Sequence, residues 1–240
     1  LYVINPNSYL SLDGENVVVQ QEEGQKRVPL HILERIITFG YTGASPALMG
    51  KCAEDGRELV FLTSSGRFLA RVQGTVNGNV LLRRQQYRTA DDADASLKIA
   101  RNMIAAKLFN SRWVLERMIR DHGPRIDAER FRQKSLLLKE AVSLAAEADS
   151  MDTLRGIEGE AATVYFSVLD EMILREKDTF FFHGRNRRPA LDCVNAMLNF
   201  AYTLMTSMCT SALESVGLDP YVGMMHTDRP GRPSLALDLV

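Results

Sequence analysis

The sequence has few of the features that characterise secreted or membrane-spanning proteins. It contains only three cysteines in 240 residues, Cys52, Cys193 and Cys209, and no Cys-x-x-Cys pair. Buried free thiols are therefore expected rather than disulfides. No apolar run approaches the roughly 18 to 20 residues that cross a bilayer, and the first residues lack the layout of a signal peptide. We expect a cytoplasmic protein that makes no contact with membranes.

An excess of charge of one sign is also absent, because 29 lysines and arginines are balanced by 30 acidic residues. The protein as a whole therefore does not attract nucleic acid, and DNA contacts must come from local patches. Two stretches contain arginines but no acid, residues 71–90 and residues 183–189. Their arginines are Arg71, Arg83, Arg84 and Arg88 in the first, and Arg185, Arg187 and Arg188 in the second. Each stretch is a candidate phosphate-binding patch, and an ordinary solvated surface is the alternative.

The first ninety residues alternate short β-rich runs with turn residues. Strands are predicted over residues 1–5, 16–19, 27–30, 35–38, 58–63, 67–72 and 79–83. The dipeptides Asp13-Gly14, Ser65-Gly66 and Asn77-Gly78 mark tight turns. One helix is predicted over about residues 45–54, because Pro46 suits a first helical position.

The remainder of the chain has helical periodicity. The acidic stretch 91–94 favours the positive end of a following helix. Helices are predicted over about residues 93–120, 127–148, 151–174 and 189–216, the first of them ended by Gly123-Pro124. The fold class is therefore α+β, with a small N-terminal β-rich domain (residues 1–88), a linker (89–95) and an all-helical domain (96–240).

A carboxylate on an apolar helix face is the first candidate site. On a helix, Glu158 shares its face with Ala161, Ala162, Tyr165 and Leu169. A carboxylate in such surroundings needs a charged partner, a raised pKa or a metal ion. An ion pair with Arg155, one turn earlier, is the structural alternative. The small alanines favour the close approach of another segment, as a site assembled from two pieces requires, whereas Glu160 points elsewhere.

The last twenty residues supply a second candidate. Glycine, proline and arginine surround His226, which places it in a loop, and Pro233 can open a helix that carries Asp238 on its second turn. Imidazole and carboxylate would then face one pocket. Histidine with carboxylates is a workable ligand set for Mg²⁺ or Mn²⁺. A hydrogen-bonded structural histidine is the alternative.

Three linked motifs, in this order and spacing, carry a family resemblance. They are Leu-Arg-Gly-Ile-Glu-Gly-x-Ala-Ala over 154–162, His-Gly-Arg-Asn-Arg-Arg-Pro over 183–189 running into Asn195, and His-x-x-Arg-Pro-Gly-Arg-x-Ser-Leu-Ala-Leu-Asp-Leu over 226–239. Together they resemble the CRISPR-associated endonuclease one, the integrase of spacer acquisition. Segments 9–14, 40–46 and 66–68 are similar to its type I-C branch, so the resemblance covers essentially the whole chain.

The resemblance implies a metal site. Glu158 and His226 match two of the three ligands of the family, which holds Mg²⁺ or Mn²⁺. The third is an acid three positions after Asp238, which lies beyond Val240, so the chain is expected to be truncated at its C-terminus. Asp238 itself matches a position beside the metal, as a supporting group or a substitute ligand. Asn199 stands where the family usually has a serine.

The implied activity is that of a divalent-metal-dependent DNA endonuclease and integrase. The 3′-hydroxyl of a short foreign DNA attacks a phosphodiester of the repeat, without a covalent enzyme intermediate, and with water as the nucleophile the same site is a nuclease. The helical domain is then the catalytic one. A DNA-binding role is assigned to Arg84, Arg155, Tyr165, Arg185, Arg187 and Arg188, with packing on the metal-site wall as an alternative for Tyr165.

The resemblance also implies partners and leaves alternatives open. The expected partners are double-stranded DNA (spacer precursor and CRISPR repeat), a second copy of the chain, CRISPR-associated protein two and, in type I-C systems, exonuclease four. One alternative is a non-catalytic DNA-binding and assembly subunit, because the third ligand is missing. Another is a general nuclease that acts on branched repair DNA.

Overall fold

The computed structural model describes residues 1–75 and 80–240, and these form two compact units. The first comprises Leu1–Asn79 with Glu214–Gly217, and the second comprises Val80–Leu213 with Leu218–Val240. The predicted turn at Asn77-Gly78 lies outside the described residues. The predicted domain boundary after residue 88 falls inside a helix that belongs to the second unit.

The first unit contains two four-stranded sheets. Its elements are β1 (Tyr2–Val3), β2 (Tyr9–Asp13), β3 (Asn16–Gln21), β4 (Gly24–Pro29), β5 (Arg35–Phe39), β6 (Gly43–Ala44), α1 (Pro46–Glu54), β7 (Glu58–Leu62) and β8 (Phe68–Val72). One sheet has the order β1-β5-β7-β8, with only the β7–β8 pair antiparallel. The other has the order β4-β3-β2-β6, with only the β2–β6 pair parallel.

Apolar side chains from both sheets and from α1 form the core of this unit. Its fully buried members include Leu10, Val17, Leu30, Ile36, Leu48 and Leu59. Helix α1 begins as predicted, with Pro46 in its first turn and the Ser45 hydroxyl accepting a hydrogen bond from the backbone N–H of Leu48. The turn between β2 and β3 uses Gly14 at φ +57°, a conformation that glycine adopts without strain.

Most of the predicted strands are found, with ends shifted by up to three residues. Two short or polar strands, β2 and β6, are not predicted by the pattern of apolar residues. The strand predicted over residues 79–83 is wrong, because Val80–Asp91 is a helix, α2. The apolar residues at its start have β propensity, but the Leu, Arg and Gln residues that follow are strong helix formers.

The second unit is helical. Its elements are α2 (Val80–Asp91), α3 (Ala93–His122), α4 (Ala128–Glu147), α5 (Met151–Phe166), α6 (Cys193–Ser215) and α7 (Ser234–Asp238). Asp92, Asp127 and Ser150 cap the starts of α3, α4 and α5 by accepting backbone hydrogen bonds. Helices α3, α4 and α5 pack on one another around a core that includes Leu115, Phe131, Leu138 and Leu154, all fully buried. The predicted α+β fold class is confirmed.

Two predicted helices are too long. The helix predicted over 151–174 ends at Phe166 and is followed by a 3₁₀ turn at Asp170–Met172, although no glycine or proline marks that end in the sequence. The helix predicted from Pro189 begins only at Cys193, because the Asp192 carboxylate accepts a hydrogen bond from the Asn195 N–H. No helix in the described ranges is long and apolar enough to cross a membrane.

Candidate functional site

The carboxylate of Asp238 organises the loop that carries His226. One oxygen, Oδ1, accepts the backbone N–H of His226 (3.0 Å) and lies 2.6 Å from its Nδ1. The other, Oδ2, accepts the backbone N–H groups of Met224 (2.7 Å) and Met225 (3.1 Å). The side chain of Asp238 is only 1% exposed. Both oxygens of Asp238 therefore already accept two hydrogen bonds each from the His226 loop.

The pairing with Asp238 determines which ring nitrogen of His226 carries the proton. Burial alone would raise the pKa of Asp238, but the hydrogen bonds from the His226 ring and from three backbone N–H groups outweigh it and hold the pKa below its ordinary value. An ionised Asp238 keeps the proton of His226 on Nδ1, which leaves the lone pair of Nε2 for a ligand. Carboxylate-bound histidines of this kind are common at metal sites.

The loop passes so close to helix α7 that a side chain would not fit at Gly223. A Cβ on Gly223 would lie 2.8 Å from the carbonyl oxygen of His226 and 3.0 Å from Oδ2 of Asp238. Real Cβ atoms are not found that close to backbone oxygens. Glycine at this position is therefore a requirement of the Asp238 contact.

Glu158 has a charged partner, but not the expected one. Its Oε1 lies 2.8 Å from Nζ of Lys107 on α3, with the two side chains 25% and 40% exposed. Arg155 instead donates to the Asp152 carboxylate (3.0 Å) and to the carbonyl oxygen of Met225 (2.6 Å). The structural alternative of an ion pair between Arg155 and Glu158 is therefore wrong. Lys107 lies 51 positions before Glu158, so no local spacing in the sequence points to it.

The contact between Arg155 and Met225 brings the two candidate segments together. Arg155 lies one turn before Glu158 on α5, and Met225 directly precedes His226, so the two candidate ligands lie on adjoining elements. Ala161 and Met225 are buried in the same apolar cluster, which is the close approach that the small alanines favour. Glu160 is exposed.

An open cleft runs beside this junction. Its volume is about 590 Å³, and its walls include Tyr87 and Asp91 of α2, Arg155 of α5, and His226 and Asp228 of the loop. The cleft therefore presents a guanidinium, an imidazole and two carboxylates to the solvent in one place. Within residues 1–75 and 80–240, no group of three or more His, Cys, Asp or Glu side chains is arranged to hold a metal ion.

The arginine loop, residues 183–189, is held by Asn195 at the start of α6. The fully buried amide of Asn195 accepts from the Arg185 guanidinium and the Asn186 N–H, each at 3.0 Å, and donates to the Gly184 carbonyl (2.9 Å) and the Asp192 carboxylate (2.7 Å). Every polar atom of this amide is thus paired. Asn195 therefore fixes the path of the loop.

The predicted DNA-binding residues differ in their surroundings. Arg185 is half-buried over the ring of Tyr202, 5.3 Å from its centroid, and burial, with help from the neighbouring Arg187, lowers its pKa. Arg187, Arg188 and, on α2, Arg84 are exposed. They remain available for phosphate, whereas much of the Arg185 side chain is used inside the protein.

Tyr165 lies against the core rather than in solvent. It packs on the apolar cluster of the second unit and contacts the ring of Phe166 edge-on at 5.4 Å between centroids. Burial raises its pKa. These surroundings fit a wall of the site better than a surface that stacks on DNA.

Comparisons with known proteins identify close relatives. The model of the family described as CRISPR associated protein Cas1 matches residues 1–240. A protein named CRISPR-associated endonuclease Cas1 1 from Chlorobaculum tepidum is 48% identical over all of this chain and 70% of its own length. A CRISPR-associated exonuclease Cas4/endonuclease Cas1 fusion from Geobacter sulfurreducens is 36% identical over all of this chain and 43% of its own length.

Solved structures show the same fold. A CAS1 protein from Thermotoga maritima superposes with a TM-score of 0.75 at 22% identity, over 99% of this chain and 72% of that one. A casposase bound to its integration product superposes with a TM-score of 0.77 at 23% identity, over 99% of this chain and 67% of that one. A chain of a Cas6-RT-Cas1–Cas2 complex gives 0.71 at 22% identity, over 99% and 25%.

Proposed function

Because the chain belongs to the CRISPR-associated Cas1 family of endonucleases and integrases, we propose that it inserts short foreign DNA into a CRISPR repeat array. In this proposal the 3′-hydroxyl of the incoming strand attacks a phosphodiester of the repeat. A new phosphodiester forms between the two strands, and the 3′-hydroxyl of the cleaved repeat strand is released. The observation that carries it is the imidazole of His226, oriented by the buried carboxylate of Asp238, on a loop that contacts the helix bearing Glu158.

Glu158 and His226 would hold a divalent cation, Mg²⁺ or Mn²⁺. A carboxylate that is 25% exposed and an imidazole whose Nε2 faces away from Asp238 are donors that suit such ions. The third ligand implied by the family resemblance is an acid three positions after Asp238, outside these 240 residues. When bound, the ion polarises the scissile phosphate and stabilises the charge that develops on it.

The side chains of this chain would position the DNA and the ligands. Asp238 keeps the proton of His226 on Nδ1, and Lys107 neutralises Glu158 in the absence of the metal. The exposed Arg187 and Arg188 would contact DNA phosphates next to the site.

We also propose the type I-C branch, with the partners known for it. The chain would form a homodimer and assemble with CRISPR-associated protein two on double-stranded spacer and repeat DNA, and exonuclease four would join this assembly. A relative in which exonuclease Cas4 and endonuclease Cas1 are fused, and a structural neighbour that is part of a Cas1–Cas2 complex, support these partners.

A second function is favoured by one observation. No set of three metal-ligating side chains occurs in the part of the chain that the structure describes. In this second function, the 240-residue chain would bind DNA and take part in assembly with its partners without cutting DNA. The exposed arginines and the fold are compatible with both functions.

Strand transfer of a short DNA into a repeat-bearing plasmid, with Mn²⁺, distinguishes the two functions. Four proteins are compared: this chain, the chain extended to the length of its relatives, the extended chain with Glu158→Ala, and the extended chain with Glu160→Ala. Glu160 is the matched control, since it lies exposed on the same helix. The integrase proposal expects joining by the extended chain and its Glu160 variant only.

The other outcomes are equally informative. Equal activity of the 240-residue chain would mean that another acid completes the site and would remove the assembly-only function. Full activity of the Glu158→Ala protein would refute the metal assignment. DNA binding without joining by every version would leave the non-catalytic function.

A further inference from the structure

One buried amide on α2 holds the His226 loop, residues 218–233. Gln86 is 5% exposed, and its Nε2 donates to the carbonyl oxygens of Asp219 (2.7 Å) and Val222 (3.0 Å). Its Oε1 accepts the backbone N–H of Asp219 at 2.8 Å. All three hydrogen bonds that this side chain makes with the loop thus go to backbone groups 133 to 136 positions away.

The neighbouring residue on α2 strengthens the same attachment. The hydroxyl of Tyr87 donates to Oδ2 of Asp219 at 2.9 Å, and Oδ1 of Asp219 accepts the backbone N–H of Tyr221 at 2.9 Å. The backbone N–H of Leu235 in α7 donates to the Pro220 carbonyl at 3.0 Å. The segment 219–222 is therefore tied both to α2 and to the helix that carries Asp238.

These bonds lie directly upstream of the Asp238 contacts. Gln86 fixes the backbone at residues 219–222, and Asp238 fixes it at 224–226. A buried amide stabilises a structure only when each of its polar groups is paired, and the pairing then specifies one geometry. An apolar side chain at residue 86 could fill the same space but could not select that geometry.

We propose that Gln86 is a positioning residue that sets the path of the His226 loop and thereby the direction of the His226 imidazole. Displacement of the loop would lengthen the bond between His226 and Asp238 and change the direction in which Nε2 points. The effect of Gln86 on the path of the loop does not depend on whether the protein joins DNA. Only the consequence for metal affinity rests on the proposed function.

The first test follows the His226 ring proton by NMR, with no metal or DNA present. A proton on Nδ1 held 2.6 Å from a buried carboxylate gives a downfield resonance that exchanges slowly with water, and a His226→Gln variant assigns it. In Gln86→Leu we expect exchange about ten- to a hundredfold faster, because all three hydrogen bonds to the loop backbone are lost.

The matched control is Asn195→Leu, which removes an equally buried amide from the arginine loop. If Gln86 has only a general structural role, the two variants will lose similar unfolding free energy and show similar exchange of the His226 proton. The proposal expects the resonance to change in Gln86→Leu and to stay as in wild type in Asn195→Leu. An unchanged resonance in a folded Gln86→Leu protein overturns it.

The second test measures Mn²⁺ binding by EPR and DNA binding by anisotropy, with the extended chain. Gln86→Leu is expected to bind Mn²⁺ about tenfold more weakly, as removal of supporting groups does at other metal sites, with DNA affinity unchanged. Asn195→Leu is expected to bind DNA more weakly and to keep its affinity for Mn²⁺. Normal Mn²⁺ affinity in a Gln86→Leu protein whose ring proton exchanges rapidly would refute the positioning of the ligand.

Two arrangements keep the outcome interpretable. If Gln86→Leu fails to fold, Tyr87→Phe is used instead, because it removes one exposed hydrogen bond to the same loop. Exchange of the His226 ring proton is then expected to be two- to fivefold faster than in wild type. An unchanged exchange rate refutes the proposal. If Glu158→Ala leaves Mn²⁺ binding and strand transfer intact, the proposed function fails, whereas the NMR result still decides the role of Gln86.

Discussion

Replacement of Asp238 by asparagine tests whether this carboxylate holds the His226 loop. The substitution keeps the size of the side chain but exchanges one acceptor oxygen for an NH₂ group. Each oxygen of Asp238 accepts two hydrogen bonds. Oδ1 accepts from the ring and the backbone of His226, and Oδ2 accepts from the backbone N–H groups of Met224 and Met225. In either orientation the new NH₂ group faces two donors.

The expected loss of stability follows from these contacts. Two hydrogen bonds to a charged acceptor disappear, each worth about 1.5–3 kcal/mol. The donors that remain are shielded from water, because the Asp238 side chain is 1% exposed. We expect Asp238→Asn to lower the free energy of unfolding by about 3–6 kcal/mol.

The pH dependence provides a second, independent sign. Hydrogen bonds hold the pKa of Asp238 in the folded chain below its ordinary value, against the opposing effect of burial. The ionised carboxylate therefore contributes stability that is fully present above the unfolded pKa of about 3.9 and is lost as the pH falls through the folded pKa. The difference between wild type and Asp238→Asn should shrink in that acidic range, because asparagine does not titrate.

Urea unfolding followed by circular dichroism, at neutral pH and at a series of acidic pH values, measures both effects. Asp228→Asn is the control, since Asp228 lies exposed on the same loop and should change the free energy of unfolding by less than about 0.5 kcal/mol. A loss below about 1 kcal/mol for Asp238→Asn, or a difference that does not depend on pH, would refute the reasoning.

Two further predictions concern the helix that carries Glu158. Lys107→Met removes a positive charge 2.8 Å from the Glu158 carboxylate, so the extended chain should bind Mn²⁺ roughly three- to tenfold more tightly by EPR titration. Less than about 1 kcal/mol of stability should be lost. The control is Lys139→Met, at an exposed lysine of α4, and weaker binding than in this control would mean that Lys107 orients Glu158 instead. Gly156→Ala should raise the free energy of unfolding by about 0.5–1 kcal/mol, because alanine is the better helix former and its Cβ would meet nothing within 4 Å. A loss of stability in urea unfolding would contradict the open space around this helix.

Local signals in the sequence are sufficient to predict much of the helical half. Apolar periodicity locates α3, α4 and the start of α5. In the structure, Asp92, Asp127 and Ser150 cap these helices by accepting backbone hydrogen bonds. Caps act within three residues, so they can be read from a single stretch of chain. Where a helix ends without glycine or proline, as α5 does at Phe166, the position of the end is not predicted.

The missing parts of the site depend on contacts between distant residues. Lys107 meets Glu158 across 51 positions, and Gln86 meets Asp219 across 133. Neither pair has a local pattern, and residue 86 lies just past a segment, 79–83, for which a strand is predicted although a helix is found. The sequence therefore predicts that Glu158 needs a partner, but the identity of that partner depends on how α3 packs against α5.

The loop around His226 shows why such contacts determine the geometry of the site. Residues 218–233 contain two glycines and three prolines and no helix or strand, so ordering this segment costs conformational entropy that its own local structure does not offset. Gln86, Arg155 and Asp238, from three different helices, each bind backbone groups of this loop. Because the anchors contact backbone atoms, most loop side chains can change without moving His226. A change in one of the three anchors should move it.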